Sequence, residues 1–159
     1  MILVAGLGVR AGAVLRRQLD ASGLTGPLRQ SAEHIIQSLE HGGQVSDVPA
    51  ELAVLFRRSV QPYLISWLPL DPAAALAKVR APTLVLQGTT DIQASIADAE
   101  RLRAARPDVE LAVLSGVNHV LKDAPMDRGK NLATYGDPAL PVARSILPPI
   151  EAFVRRNCV

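Results

Sequence analysis

Residues 82–119 decide the fold, and they read PTLVLQGTTDIQASIADAERLRAARPDVELAVLSGVNH. Within them, the apolar run 83–87 stands between a proline and a glycine, which predicts a short buried strand. Residues 95–106 predict a helix, because Ser95 and Asp98, three residues later, can form a capping box at its start. A second apolar run at 109–114 predicts another strand. The stretch therefore predicts a β–α–β unit with two parallel strands.

Two polar residues, Asp91 and His119, come just past the carboxyl ends of these two strands. Open α/β sheets place their chemistry at this edge. Taken singly, Asp91 could cap a turn, and His119 could be a buried histidine bonded to the backbone. Taken together, a carboxylate that bonds one ring nitrogen leaves the other nitrogen free to act as a base. We therefore predict that Asp91 and His119 lie together as an acid–base pair.

Over nearly its whole length, the chain resembles the C-terminal part of an α/β hydrolase of the serine-aminopeptidase and monoacylglycerol-lipase kind. The resemblance is carried by residues in the family's order and spacing, namely Asp71, Pro72, Leu76, Val79, Pro82, Thr83, Leu84, Gly88, Asp91, Gly116 and His119. In that family the triad comes in the chain order serine, acid, histidine. The resemblance implies that Asp91 orients His119, and that His119 is general base and then general acid toward a small-molecule ester or acyl substrate. It implies no cofactor.

The chain departs from the family at the nucleophile. The family's serine lies in a G-x-S-x-G elbow, a sharp turn between a strand and a helix. None of the nine serines, nor Cys158, nor any aspartate, has glycines both two residues before it and two residues after it. The oxyanion-hole donors belong to the half of the family's domain that the resemblance does not cover. We expect a chain that carries the acid and the histidine without the group they activate, inactive or nearly so by itself.

The predicted fold class is α/β, as a three-layer partial α/β-hydrolase fold. Its short parallel sheet would hold the last three strands of the family's sheet, with an inserted helical cap. We predict one partial domain over 1–159, in which 6–70 is the cap insertion and 71–159 is the C-terminal βαβα part that carries the acid and histidine. Within the latter, 122–140 is polar and predicts a long loop, and 142–154 predicts a terminal helix packed on the sheet.

The apolar run from Ile2 to Ala5 predicts the first strand, in buried form. In the family its neighbour on one side would belong to the half of the domain that is not covered. An apolar strand without its neighbour presents free backbone groups to another chain. We therefore expect self-association through the exposed edge strand Ile2 to Ala5.

The predicted cap has helical patterns broken by glycine and proline, over a length too great for a plain crossover connection. Tyr63 and Trp67, four residues apart, face one way and could line a substrate pocket. We favour the alternative that they pack the cap onto the sheet, as aromatic residues commonly do. His34 and His41 share a helix face, but a metal site needs a third ligand. We expect both histidines to face solvent and predict no metal site.

Two alternatives come from other classes of protein. Residues 6–11 match the G-x-G-x-x-G/A fingerprint of dinucleotide-binding proteins, after a strand and before a helix. That fingerprint requires a second strand near residues 24–30, where the sequence predicts a turn and then another helix. The dinucleotide-binding fragment is therefore the weakest of the three hypotheses. The other alternative is a non-catalytic module that binds an apolar ligand or a protein.

Charge and composition exclude several kinds of partner. The net charge is +2, and the basic residues are interspersed with acids, so we predict no nucleic-acid partner. No apolar run approaches the roughly 18 residues that a membrane span needs. Cys158 is the single cysteine, so we expect a free surface thiol. The start lacks the features of a signal peptide, which leaves the compartment open, with the cytoplasm as the default.

Overall fold

The computed structural model describes residues 1–157, so the predicted surface thiol of Cys158 lies outside the described residues. The elements follow in the order β1 (Ile2–Val4), α1 (Ala11–Ala21), α2 (Gly26–Glu40), α3 (Ala53–Phe56), α4 (Gln61–Trp67), α5 (Pro72–Leu76), β2 (Leu84–Gly88), α6 (Ile96–Ala105), β3 (Glu110–Leu114), α7 (Arg128–Ala133) and α8 (Leu147–Asn157). Short 3₁₀ helices at Ala50–Leu52 and Arg144–Ile146 precede α3 and α8.

The chain divides into two compact units. One, here called the sheet unit, comprises Met1–Gly8 and the chain from Pro72 onward, and the other, the helical unit, comprises Val9–Asp71. The predicted single domain, with a cap inserted at 6–70, remains a prediction. All strands lie in the sheet unit, and the described part of the helical unit consists of helices and their connections.

The three strands form one parallel sheet in the order β1–β2–β3. The predicted α/β class with a short parallel sheet is therefore confirmed. The central strand β2 is buried along its full length, as its continuous apolar sequence predicts. It pairs with β1 from Leu84 opposite Ile2, and with β3 from Leu84 opposite Glu110. Both flanking strands are thereby placed with their carboxyl ends at the same edge.

Side chains alternate between the two faces of the sheet, and helices cover both. One face presents Leu84, Leu86 and Leu114 to Ile146 and to Phe153 of α8. The opposite face carries a second cluster, made of Leu3, Val85 and Leu111 from the strands, Leu76 and Val79 from α5 and the turn after it, and Ala99 and Leu102 from α6. Burying a side chain of this size stabilises the fold by about 1.5–3 kcal/mol. The result is a layer of helices on each side of the sheet.

Helix α6 begins with the predicted capping box. The Ser95 hydroxyl accepts from the Asp98 backbone N–H at 3.2 Å, and the Asp98 carboxylate accepts from the Ser95 backbone N–H at 2.9 Å. Asp98 belongs to the charged stretch of α6, which as a charged stretch would be expected to face solvent, but this residue is 1% exposed. Its other carboxylate oxygen accepts a hydrogen bond from the backbone N–H of Gly8 at 3.3 Å, which accounts for the burial.

The glycines of the dinucleotide fingerprint are explained by packing. A Cβ on Gly8 would overlap the backbone carbonyl of Asp98, so only glycine allows this close approach of the two segments. The chain after α1 forms helix α2 instead of the strand that the fingerprint requires. The sequence match therefore lacks its structural context.

Two predictions about individual elements are corrected. The first strand spans Ile2–Val4 and is only partly buried, with Val4 39% exposed, because β1 is the edge of the described sheet. The segment 122–140, predicted as a loop, contains helix α7. Asp127 caps this helix by accepting a hydrogen bond from the Lys130 backbone N–H at 2.9 Å. Its six residues, RGKNLA, lack the apolar periodicity by which a sequence reveals a helix.

Candidate functional site

The loops that follow β2 and β3 are joined by backbone contacts. A Cβ on Gly88, the last residue of β2, would overlap the carbonyl oxygen of Val117, so glycine is required for the two loops to meet. The Thr89 backbone N–H donates to Leu114 at 2.9 Å, and the Thr89 hydroxyl accepts from the backbone N–H of Gly116 at 2.9 Å. These contacts bring the residues that follow each strand close together.

Asp91 and His119 meet at this junction. The distance between His119 Nδ1 and Asp91 Oδ2 is 3.0 Å. The Asp91 side chain is 0% exposed, whereas that of His119 is 30% exposed. Within residues 1–157, no hydrogen bond is made to Nε2, the other nitrogen of the His119 ring. The pair thus has one buried, bonded end and one open end.

The carboxylate of Asp91 is held by several donors. Its Oδ1 accepts from the backbone N–H groups of Gln93 at 2.7 Å and Ala94 at 3.0 Å, and its Oδ2 accepts from Gln87 Nε2 at 3.1 Å. Burial raises the pKa of Asp91, but the hydrogen bonds from His119, Gln93 and Ala94 outweigh it, so the pKa lies below its ordinary value. An ionised carboxylate only accepts, and His119 Nδ1 must therefore carry the proton in this contact.

Helix α7 and the residues after it fasten both loops. Asn118, next to His119, donates from Nδ2 to the Thr134 hydroxyl at 2.7 Å and to Asn131 Oδ1 at 3.3 Å. Asn131 in turn donates to the carbonyl of Thr90, next to Asp91, at 2.8 Å. A network of buried amides and hydroxyls therefore links the residue next to His119 with the residue next to Asp91. This network was not predicted from the sequence.

The turn after His119 contains an unusual backbone conformation. Leu121 has φ 63°, in the left-handed region that residues other than glycine seldom adopt. The turn is closed by two bonds, from the Leu121 N–H to the Asn118 carbonyl at 3.0 Å and from the Asn118 N–H to the Lys122 carbonyl at 3.0 Å. Such a residue costs about 1–2 kcal/mol. Its neighbours must therefore hold the turn in this one shape.

Tyr135 is a further polar group near the pair. Its hydroxyl accepts from Gln93 Nε2 at 3.5 Å, a long bond, and Gln93 also donates its backbone N–H to Asp91. Burial raises the pKa of Tyr135, and the negative charge of Asp91 raises it further. The phenol is therefore neutral at physiological pH and available as a donor.

The predicted pocket residues Tyr63 and Trp67 lie in the helical unit, on α4. Their ring centroids are 5.7 Å apart with an interplanar angle of 43°, so they contact each other as four-residue spacing predicts. Tyr63 is 65% exposed. Their role in a substrate pocket remains a prediction. His34 and His41 are exposed, as predicted.

Two further observations concern metals and membranes. No group of three or more histidine, cysteine, aspartate or glutamate side chains in residues 1–157 is placed to hold a metal ion. Among the helices of the same residues, none is both long enough and apolar enough to cross a membrane.

Comparison with known proteins gives similarities among solved structures alone. No family model and no curated protein matches the chain. The structure of E-2-(acetamidomethylene)succinate hydrolase matches with a TM-score of 0.35 and 21% identity, over 50% of this chain and 29% of that one. A Mycobacterium tuberculosis protein assigned as the non-heme bromoperoxidase BpoC matches with a TM-score of 0.40 and 15% identity, over 75% of this chain and 50% of that one. Both are α/β hydrolases, and the chain spans half or less of their length.

Proposed function

We propose that this chain supplies the acid and the histidine of a serine hydrolase that cleaves an ester or similar acyl bond. Asp91 would orient the imidazole and stabilise its protonated form. His119 would take the proton from an attacking hydroxyl and then return it to the leaving group. The observation that carries the proposal is the 3.0 Å contact between Asp91 and His119 Nδ1, with Nε2 left unbonded within the described residues.

The contact supports this role for a chemical reason. An ionised, buried acceptor on Nδ1 fixes the tautomer in which Nε2 has a lone pair, which is the form that accepts a proton. His119 is also partly exposed, so the hydroxyl of an attacking serine could approach that nitrogen. A histidine that was buried only to satisfy a backbone group would have no such open end. General acid–base catalysis of this kind contributes roughly 10²- to 10⁴-fold in rate.

The nucleophile and the oxyanion-hole donors would come from sequence other than residues 1–159. The chain has no serine in a G-x-S-x-G elbow, and it spans 29% and 50% of the two solved structures named above. We propose that this chain by itself has little or no hydrolytic activity. A substrate of small ester or acyl type is part of the same proposal.

A fluorophosphonate probe tests the proposal, because it labels only an activated serine. The chain alone should remain unlabelled, and the reading frame upstream of Met1 should encode a G-x-S-x-G elbow. The protein that contains both parts should be labelled, and His119→Ala should abolish the labelling. His34→Ala is the matched control, since this exposed histidine lies in the helical unit, and it should leave labelling unchanged. Labelling that survives His119→Ala would refute the proposed role.

A non-catalytic module that binds an apolar ligand is the second candidate, and a cavity favours it. The cavity has a volume of about 330 Å³ and lies in the sheet unit, beside β1, α5 and α6. Its lining is almost wholly apolar and includes Leu3, Leu7 and Leu76. Saturable fluorescence enhancement of 1-anilinonaphthalene-8-sulfonate by the chain, reduced by Leu76→Gln, would support this function. A chain whose folded form gives no enhancement would exclude it.

We also propose self-association through β1. It is the edge of the described sheet, and the neighbouring side chains of Met1 and Val4 are 43% and 39% exposed. An exposed apolar edge favours pairing with a second copy of the same strand. Light scattering at micromolar concentration should give a mass above that of one chain, and Val4→Lys should lower it. A monodisperse monomer would contradict the proposal.

A further inference from the structure

Gln87 is a polar residue inside the central strand of the sheet. It is 0% exposed and stands between Leu86 and Gly88 in β2, whose five residues are all buried. A buried amide is tolerated only when its polar atoms find partners. The hydrogen-bond partners of Gln87 lie at the candidate site rather than in the core.

The amide nitrogen of Gln87 makes all of its contacts. Nε2 donates to Asp91 Oδ2 at 3.1 Å and to the Ala94 carbonyl at 2.9 Å, with a longer contact of 3.3 Å to the Gly88 carbonyl. The buried Oε1 has no hydrogen-bond partner within the described residues. Rotating the amide by half a turn would place Oε1 against these acceptors, so the orientation is determined by them.

We propose that Gln87 is the positioning residue of Asp91, which holds the carboxylate in the one orientation that meets His119; this role rests on the proposed function. The Oδ2 atom then has two donors, Gln87 Nε2 and His119 Nδ1, at 3.1 and 3.0 Å. The Oδ1 atom has two backbone donors, from Gln93 and Ala94. With both oxygens occupied in this way, rotation of the carboxylate breaks bonds on both sides.

Gln87 should also act on the charge of the acid. An N–H that donates to an ionised carboxylate favours the ionised form, so the loss of this donor should raise the pKa of Asp91. The ionisable groups that face Asp91 are His119, which bonds it, and Tyr135, whose pKa its charge affects. Neither lies on β2, so a substitution of Gln87 changes the donor without altering either of them.

Three variants separate positioning from a merely structural role. Gln87→Met removes the donor and keeps the volume, and Gln87→Glu keeps the shape but replaces the donor with a second carboxyl group. Gln61→Met is the matched control. Gln61 is also 0% exposed, and its amide bonds Val45 and the Phe56 carbonyl, each at 2.8 Å, in the helical unit. The Gln61→Met substitution should lower the stability of the protein without changing the bonds of Asp91.

The readouts are the ¹³C NMR titration of the Asp91 carboxyl and the exchange rate of the His119 Nδ1 proton with water. In Gln87→Met the titration midpoint should move up and the exchange should become at least tenfold faster. Gln87→Glu should move the midpoint further, because two carboxyl groups then share one site. Gln61→Met should leave both unchanged. If Gln87→Met folds and gives wild-type values for both, the proposal is wrong, whatever fluorophosphonate labelling shows. If the Asp91→Asn variant keeps the wild-type exchange rate of the His119 Nδ1 proton, the two residues do not form an acid–histidine pair. The proposed function is then wrong as well.

Discussion

Two groups of charged side chains, one in each unit, are built in opposite ways. In the helical unit, Arg16 of α1 bonds both Glu33 and Glu40 of α2 at 2.9 Å, and Arg29 adds a bond to Glu33 at 3.1 Å. In the sheet unit, one carboxylate and one imidazole meet on loops, and the bonds that hold the acid come mostly from neutral amides and backbone. The first group pairs opposite charges on regular helices. The second leaves one imidazole nitrogen open.

The difference separates a group that stabilises from a group that could catalyse. Ion pairs between helices contribute modestly, and each carboxylate gains by having its partner. A catalytic base must instead keep an unbonded lone pair, so its neighbours have to hold it without using that atom. The Asp91–His119 pair meets this condition, and the Arg16 group does not.

After His119→Ala, the largest effect on fluorophosphonate labelling is expected from Asp91→Asn. In the protein that contains a nucleophile, the neutral amide would let His119 adopt the wrong tautomer and would not stabilise its protonated form. Fluorophosphonate labelling should slow by about 10²- to 10⁴-fold. Asp47→Asn, an exposed aspartate of the helical unit, is the control and should retain the wild-type rate. A labelling rate in Asp91→Asn within a factor of two of the wild type would remove the acid from the mechanism.

Gly88→Ala should have the largest effect on stability. The added Cβ would overlap the backbone carbonyl of Val117, which cannot move without opening the junction that holds Asp91 and His119. We expect a loss of about 3 kcal/mol or more in the free energy of unfolding, measured by urea titration. Gly136→Ala is matched to it, because a Cβ there meets no atom within 4 Å. That variant should stay within about 0.5 kcal/mol of the wild type. Equal stability of the two variants would show that the close approach is unnecessary.

Arg16→Met should weaken the helical unit while leaving the candidate site intact. The substitution leaves Glu33 and Glu40 without their shared partner, and both are about as exposed as the arginine itself. We expect a loss of about 1–2 kcal/mol, smaller at high salt, because partly exposed ion pairs are screened. The exposed Arg58, which makes no such pair with any residue in 1–157, provides the control in Arg58→Met. A change in His119 Nδ1 proton exchange in Arg16→Met would contradict the separation of the two groups.

The stretch around the candidate site shows what sequence can predict. The capping box formed by Ser95 and Asp98 predicts the start of α6. The apolar runs on either side of that helix predict two strands. The positions of Asp91 and His119 past these strands follow from the same local pattern. Their contact could be expected from sequence because a β–α–β unit places successive strand ends side by side.

The residues that support the pair could not be predicted in this way. Asn118 bonds Asn131 and Thr134, which lie in and just after α7, a helix of six residues without apolar periodicity. Asp98 is buried because the backbone of Gly8, 90 residues earlier, donates to it. Gln87 is a residue of strand β2, and it bonds Asp91 only when the loop after β2 folds back. Each of these contacts depends on tertiary approach, which local patterns do not encode.

The smallest effect, and the one that compares the two groups most directly, is the response to acid. The hydrogen bonds from Arg16 hold the pKa of Glu33 at about 2, below its ordinary 4.5. A carboxylate with a lowered folded-state pKa stabilises the protein above its ordinary pKa, and that contribution is lost as the pH falls toward the folded-state value. The stability advantage of the wild type over Glu33→Gln should therefore shrink between pH 4.5 and about 2.

Asp91 also has a lowered pKa, so the stability advantage of the wild type over Asp91→Asn in thermal unfolding should likewise shrink as the pH falls. Because its carboxylate is fully buried, added salt should change the Asp91 profile less than the Glu33 profile. Equal salt sensitivity of the two profiles would mean that they are the same kind of group.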